Sequence, residues 1–331
     1  MKKDVLDQYH SVRRGVGWRD LSDRGKVRVT GPDRISFLHS MISNDVEGLS
    51  EGEGHYGTFL TATGKILADF YYYRFSEYVL IDIAEKLLAG FVETLSKYII
   101  MDDVELEDVS QELNHFAVEG LQAKELLQAI LGGRAPSAAL SANALHWRSR
   151  PVWWLRKDLL AEPGFEIILP KPVSGEFENS LAEEGRSCGL VEIGPEAFEL
   201  LRMERGIPIN GIDFSERNNP VEARLDEAYS LKKGCYIGQE VVSKATLIGS
   251  VPKALSRLKL EDPIVPAKGA PVFAQDGREV GRITSAVFSP RLERPIALAF
   301  LKKGFWDSGS VHRVVGPLSE ALSAEVVESF E

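Results

Sequence analysis

Cysteine is nearly absent from this 331-residue chain, which carries only Cys188 and Cys235. Two thiols so far apart cannot form a cysteine-rich metal or cluster site by themselves. One disulfide is the most they allow, and nothing else in the sequence suggests export. Long apolar runs are missing as well. No stretch approaches the roughly 18 apolar residues of a membrane-spanning helix. The polar, charged segment from Met1 to Gly17 lacks the apolar core of a signal peptide. The cytoplasm, where thiols stay reduced, is therefore the expected compartment, with no membrane partner. Basic charge is in deficit: 39 Lys and Arg against 49 Asp and Glu give a formal net charge of -10. That balance opposes tight binding to a phosphate backbone, so no direct nucleic-acid contact is expected, although a local basic patch could hold an anionic ligand. The six histidines never stand at i, i+3 or i, i+4, and no metal is expected. G-x-S-x-G and Walker motifs are lacking.

What is present is an ordinary globular composition, 44% hydrophobic and 27% charged. A single core stops growing at roughly 250–300 residues, so two or three packed units are expected. After the N-terminal tail, Lys26 to Gly31 alternates as a half-buried strand. Asp33 is placed to cap a helix carrying Ile35, Leu38, Met41 and Ile42. Tyr56–Leu60, Lys65–Phe75 and Tyr78–Ala84 read as strands, and Lys86–Ile100 as an amphipathic helix. Further on, Phe116–Glu119 reads as a strand, Ala123–Leu131 as a helix and Gly132–Asn143 as a loop. Val152–Leu155 and Phe165–Leu169 read as strands and Glu178–Gly185 as a helix. From Val251 on the pattern becomes short strands between turns: Leu255–Leu260, Pro271–Ala274, Arg282–Phe288, Ile296–Phe300 and Val311–Val315. That is the signature of a small barrel. Strands at hairpin spacing mixed with helices favour an α+β fold over a doubly wound parallel sheet.

Two motifs carry less than they suggest. Gly52–Gly57 matches G-x-G-x-x-G, but a helix precedes it and a strand follows, the reverse of a dinucleotide site, so a turn is the better reading. Met101–Asp108 is acidic without EF-hand spacing, and the alternation of Val104 and Leu106 makes it a strand with one wet face.

Two stretches are chemically dense. In Lys232–Glu240 two lysines precede Gly234 and Cys235, and a helix is expected to start near Gly238. Nearby cations and a helix N-terminus both favour thiolate, so Cys235 is a candidate reactive thiol, weighed against a buried structural cysteine. Gly194–Asp213 reads as a helix opened by Pro195 and closed by Gly206. Arg202 and Glu204 flank its apolar face. A carboxylate there is suited to accept the two adjacent N–H donors of a pterin in a fork, against the plainer reading of a surface ion network.

Arg202–Gly206 with Asn210–Asp213 and Pro220–Glu222 resembles the folate-binding region of the glycine-cleavage T-protein family. Gly31–Leu38 with Asn44–Val46 is similar to that family's N-terminal signature, and Gly281–Ser285 with Phe288–Pro290 to its C-terminal barrel. Lys233–Glu240 resembles the K-G-C-[FY]-x-G-Q-E motif of the YgfZ branch, which includes iron–sulfur assembly factors. The T-protein enzymes carry two adjacent aspartates where this chain has Ala68 and Asp69, which speaks against aminomethyl transfer. The resemblance implies a three-domain ring: two interleaved α+β domains within residues 1–250, the middle part about 111–190, and a C-terminal β-barrel over 251–331. It implies tetrahydrofolate or a one-carbon derivative as cofactor, with Glu204 gripping the pterin and Arg202 orienting it. Asp69 would face the folate nitrogens, with Tyr71 or Tyr73 against the rings. Lys232 and Lys233 would attract the glutamate tail, Cys235 would face the cofactor, and Gln239 and Glu240 would fix the loop. The implied partners are folate and, transiently, iron–sulfur enzymes, including those that modify tRNA. The implied role is support of iron–sulfur cluster assembly or repair; the alternative is folate-dependent aminomethyl or methyl transfer.

Overall fold

The computed structural model describes residues 2–161, 163–247, 249 and 251–330. The chain divides into two compact units, residues 1–61, 67–197 and 227–237 in the first and 62–66, 198–226 and 238–331 in the second.

The first unit opens with α1 (Lys3–Arg14), β1 (Gly17–Asp20), β2 (Gly25–Thr30), α2 (Arg34–Met41), β3 (Gly54–Leu60), β4 (Ile66–Arg74), β5 (Val79–Ile83) and α3 (Glu85–Ser96). It continues with β6 (Glu105–Asp108), β7 (Leu113–Glu119), α4 (Ala123–Leu131), β8 (Ser141–Trp147), β9 (Arg150–Arg156), β10 (Gly164–Pro170), α5 (Ser174–Gly185) and β11 (Val191–Glu192). These strands make two sheets, ordered β3-β4-β5-β2-β6 and β11-β1-β7-β10-β9-β8. The strands alternate faces, and β4 shows what that achieves. Ala68, Phe70 and Tyr72 enter a core with Val27, Val29, Ile81 and Phe91 on one side of the first sheet. On the opposite side, Tyr73 packs with Leu80 of the first sheet and Leu113, Trp153 and Ile168 of the second, with Tyr71 at the edge. The far face of the second sheet is covered by α4 and α5 through Leu126, Leu127, Phe177 and Leu181.

The second unit contains the end of α6 (Pro195–Glu204), α7 (Gln239–Leu247), β12 (Lys253–Leu260), β13 (Pro271–Phe273), β14 (Glu279–Ser289), β15 (Arg294–Lys302), β16 (Val311–Val315) and β17 (Ala321–Val327). The six strands close a barrel in the order β12-β15-β14-β13-β16-β17 around Leu258, Val272, Ala299 and Val314. The α6 helix closes at Gly206, whose φ of +68 lets its N–H bond Met203 O at 2.9 Å while Ile207 N–H bonds Arg202 O at 2.9 Å. A Cβ on Gly206 would stand 2.2 Å from Arg257 Nε. Gly206→Ala is therefore expected to destabilise by more than about 1 kcal/mol, measured as a lower urea midpoint.

The α+β expectation holds, but besides the short strands β1 and β11 three elements were not anticipated. The presumed tail is α1, whose Val5, Tyr9 and Val12 are buried on one stripe. The presumed loop at 132–143 ends in β8, and β17 buries the alternating Leu322, Ala324 and Val326. Small and polar residues dilute the hydrophobic signal in all three. Asp33 does not cap α2 with its side chain; its Oδ2 accepts Asp103 N–H at 2.8 Å instead. Among the described residues no helix is long and apolar enough to cross a membrane.

Candidate functional site

Asp69 projects from β4 on the side that faces the second sheet, half-buried. Tyr56 donates its hydroxyl to Asp69 Oδ2 at 2.8 Å. The Tyr56 and Tyr71 rings lie 4.8 Å apart, tilted by 34°. Burial, reinforced by the Asp69 charge and by Tyr71, holds the Tyr56 phenol well above its ordinary pKa, so it remains a donor at neutral pH. Burial raises Tyr71 too, against the opposing ammonium of Lys157; the charges of Glu166, Arg24 and Asp69 also reach it. Tyr71 thus joins Asp69 to a second group of charges.

That second group is a buried network. Lys157 Nζ stands 3.2 Å from Asp82 Oδ2, 3.0 Å from Glu166 Oε1 and 3.7 Å above the Tyr71 ring centroid. Arg24 Nε meets the other Asp82 oxygen at 2.6 Å, and His115 Nε2 meets Glu166 Oε2 at 3.1 Å. Asp82 is 1% and Glu166 3% exposed, depths at which an unpaired carboxylate would be very costly. Burial pushes both acids up, but the cations outweigh it: Arg24 and Lys157 hold Asp82 well below the carboxylate range, and Lys157, with the hydrogen bond from His115, holds Glu166 below it. Lys157 is raised, its two acids outweighing burial, while burial lowers His115 and keeps it neutral. Asp82, His115 and Glu166 stand close enough to ligate a metal, but Lys157 and Arg24 already balance both acids. His115 Nδ1 and the Tyr73 hydroxyl are buried without a hydrogen-bond partner. The sequence reading missed this network. Its signal was an acid inside an apolar strand: Glu166 between Phe165 and Ile167, Asp82 between Ile81 and Ile83.

The remaining expected residues fall elsewhere. Lys233 is buried, and its Nζ donates to the carbonyls of His39, Ile42 (2.7 Å) and Asn44 (3.0 Å), closing the C-terminal end of α2. Burial lowers its pKa to about 8. Lys233 is thus committed to backbone and is not free for a glutamate tail. Cys235 is a free, exposed thiol and Lys232 is exposed. In the second unit Gln239 opens α7, as expected near Gly238. Glu240 is a solvated partner of Lys244 at 2.6 Å and does not pin the loop. Glu204 is 3% exposed; Ser289 Oγ donates to its Oε1 at 2.5 Å and Arg291 N–H at 3.3 Å. Arg202 does not orient Glu204. All five of its N–H donors go to Glu199, Asp213, Ser285 and the Ile207 carbonyl.

Residues 1–233 match the family model described as the GCVT N-terminal domain, and 253–330 the glycine cleavage T-protein C-terminal barrel domain. The chain belongs to the glycine cleavage T-protein family. An aminomethyltransferase of Symbiobacterium thermophilum is 30% identical over 98% of this chain and 88% of its own length. One from Chlorobium luteolum is 28% identical over 92% and 84%. The glycine cleavage system aminomethyltransferase T of Bartonella henselae shares the fold, with a TM-score of 0.88 at 22% identity over 99% of this chain and 89% of that one. These T-protein relatives bear the aminomethyltransferase name, not that of the YgfZ branch. The Ala68 departure also loses weight as evidence against transfer. Ala68 is 1% exposed and faces the apolar core, so strand alternation puts only position 69 on the wet side.

Proposed function

We propose that this T-protein-family chain binds a reduced folate on the Asp69–Tyr71 face of its first unit and handles the one-carbon unit of that folate. The observation that carries the reading is Asp69: a half-buried carboxylate held by the Tyr56 hydroxyl beside the Tyr71 ring. A flat, donor-rich heterocycle needs an aromatic face and a carboxylate able to accept adjacent N–H groups. Tyr71 supplies the face, and Glu166 is the buried carboxylate of the same layer. The unpartnered Tyr73 hydroxyl is a further polar atom such a ligand would use. A bound tetrahydrofolate would supply the nitrogens that carry the one-carbon group, and Asp69 is the carboxylate this reading assigns to proton exchange with one of them. Lys232 would attract the anionic tail weakly, being exposed. Glu204 remains the rival pterin carboxylate, with Arg202 bracing the helix that carries it.

Calorimetric titration with tetrahydrofolate decides between the two acids. Glu166→Gln is expected to weaken binding at least about tenfold, the cost of one charge-assisted hydrogen bond, and Glu204→Ala to leave it unchanged. The reverse outcome returns the pterin to Glu204. Asp69→Asn is expected to retain binding but lose about 10²–10⁴-fold in transfer of a one-carbon unit from an aminomethyl donor.

The exposed Cys235 favours a second reading, in which the folate complex supports assembly or repair of iron–sulfur enzymes through the Lys233–Glu240 motif of the YgfZ branch. Robust turnover to methylene-tetrahydrofolate by the wild type would count against it. Full activity of iron–sulfur enzymes in cells carrying only Cys235→Ala would eliminate a role for the thiol.

A further inference from the structure

The Lys157 ammonium rests on two contacts that the proposed ligand also needs. Its Nζ lies 3.7 Å over the Tyr71 ring, so no heterocycle can stack on that face while it stays. It also bonds both oxygens of Glu166, at 3.0 and 3.2 Å. We propose that Lys157 is an internal occupant of the folate site, displaced from Tyr71 and Glu166 by a ligand presenting a flat ring with adjacent N–H donors. This inference rests on the folate reading above.

The groups around the ammonium make displacement feasible without stranding a charge. Asp82 Oδ2, 3.2 Å away on β5, remains as its counter-ion when Glu166 is given up. His115 on β7 still donates to Glu166 Oε2 at 3.1 Å, and that oxygen has a second lone pair for the ligand. Arg24, on the far oxygen of Asp82 at 2.6 Å, keeps the exchange balanced in charge. The consequence is selectivity. A ligand with two N–H donors replaces both ammonium contacts of Glu166, whereas one lacking its exocyclic amino group leaves a buried carboxylate half-satisfied and is rejected. Affinity is reduced by the fraction of time that Lys157 is in place.

The test titrates tetrahydrofolate into the wild type, Lys157→Met and Lys157→Gln, with thermal melting to establish folding. At least about tenfold tighter binding in a folded variant is expected, because the occupied fraction is removed; a residue that served structure alone would weaken binding. Unchanged or weaker binding in the folded variants, with wild-type binding intact, overturns the inference and leaves the folate reading standing. No binding by the wild type or either variant overturns the folate reading itself. A crystal structure of the wild-type complex is independent of the variants: Lys157 must be off the Tyr71 face and off Glu166, and a complex that keeps both contacts sinks the proposal.

Discussion

Arg202→Met is expected to lower the unfolding free energy by about 3–5 kcal/mol, the usual result of removing one partner of a buried ion pair. The guanidinium is fully buried. Its Nε and Nη2 form a fork on Glu199 at 2.6 and 2.5 Å, Nη1 bonds Asp213 Oδ2 at 3.0 Å and Ile207 O at 2.8 Å, and Nη2 also reaches Ser285 Oγ at 3.0 Å. Asp213 in turn accepts Thr284 and Ser285 hydroxyls, both at 2.7 Å, and Ile209 N–H at 3.0 Å. One cation therefore ties α6, the loop after it and barrel strand β14 together. Methionine fills much of the volume but leaves the Asp213 carboxylate, 0% exposed, without a counter-charge. Arg202→Lys is expected to recover little, because an ammonium cannot span Glu199, Asp213 and a carbonyl with fixed planar donors. Urea unfolding followed by circular dichroism measures both; a loss below about 1 kcal/mol would mean that the barrel holds α6 without this residue.

Arg202 also marks where the sequence misleads. It stands two residues before Glu204, and the family resemblance implied a working pair. The helix sends the two to different partners: Arg202 to Glu199, one turn back, and Glu204 to Ser289 and Arg291. Local patterns were legible where the apolar period was clear, though not in α1, β8 or β17. The alternation of β4, the α6 helix with its glycine stop, and five of the six barrel strands follow from spacing and turn residues alone. The strand that carries Asp69 was legible, but Asp69 itself was singled out by the family resemblance, and its face was not read. The Arg24–Asp82–Lys157–Glu166–His115 network was not legible. Its members come from separate segments, and each one alone is a charged or polar residue interrupting apolar neighbours; only the packing of one sheet on the other makes them a group. Cys235 shows the opposite error of emphasis: motif density near it was plain, yet Lys233, the cation beside it in sequence, is fixed on helix carbonyls.

Asp82→Asn is expected to cost about 3–5 kcal/mol at neutral pH, since Lys157 and Arg24 lose a shared counter-ion in a buried layer. The pH dependence of that cost identifies its source. Asp82 and Glu166 both have folded-state pKa values below their ordinary ones, 3.8 and 4.5, so the stability they contribute is present above those values. It is lost as pH falls through the folded-state values, which for Glu166 is about 2. His115 acts in the same direction. Burial keeps it neutral in the fold, so the unfolded chain gains the extra proton as pH falls below 6.5. Lys157, raised by its acids, matters at the other end: its contribution is complete below 10.5 and declines only at higher pH. The wild type should therefore lose stability on acidification, first gently from His115 and then steeply below pH 4.5. The amide of the Asp82→Asn variant cannot titrate, so the gap between wild type and variant should narrow by about 1.4 kcal/mol per pH unit below pH 3.8. Urea unfolding at pH 7, 5, 3.5 and 2.5 measures the gap. A gap that stays constant down to pH 2.5 would mean that the substitution acts through packing, and that Asp82 contributes no ion pairing to the layer that holds Lys157.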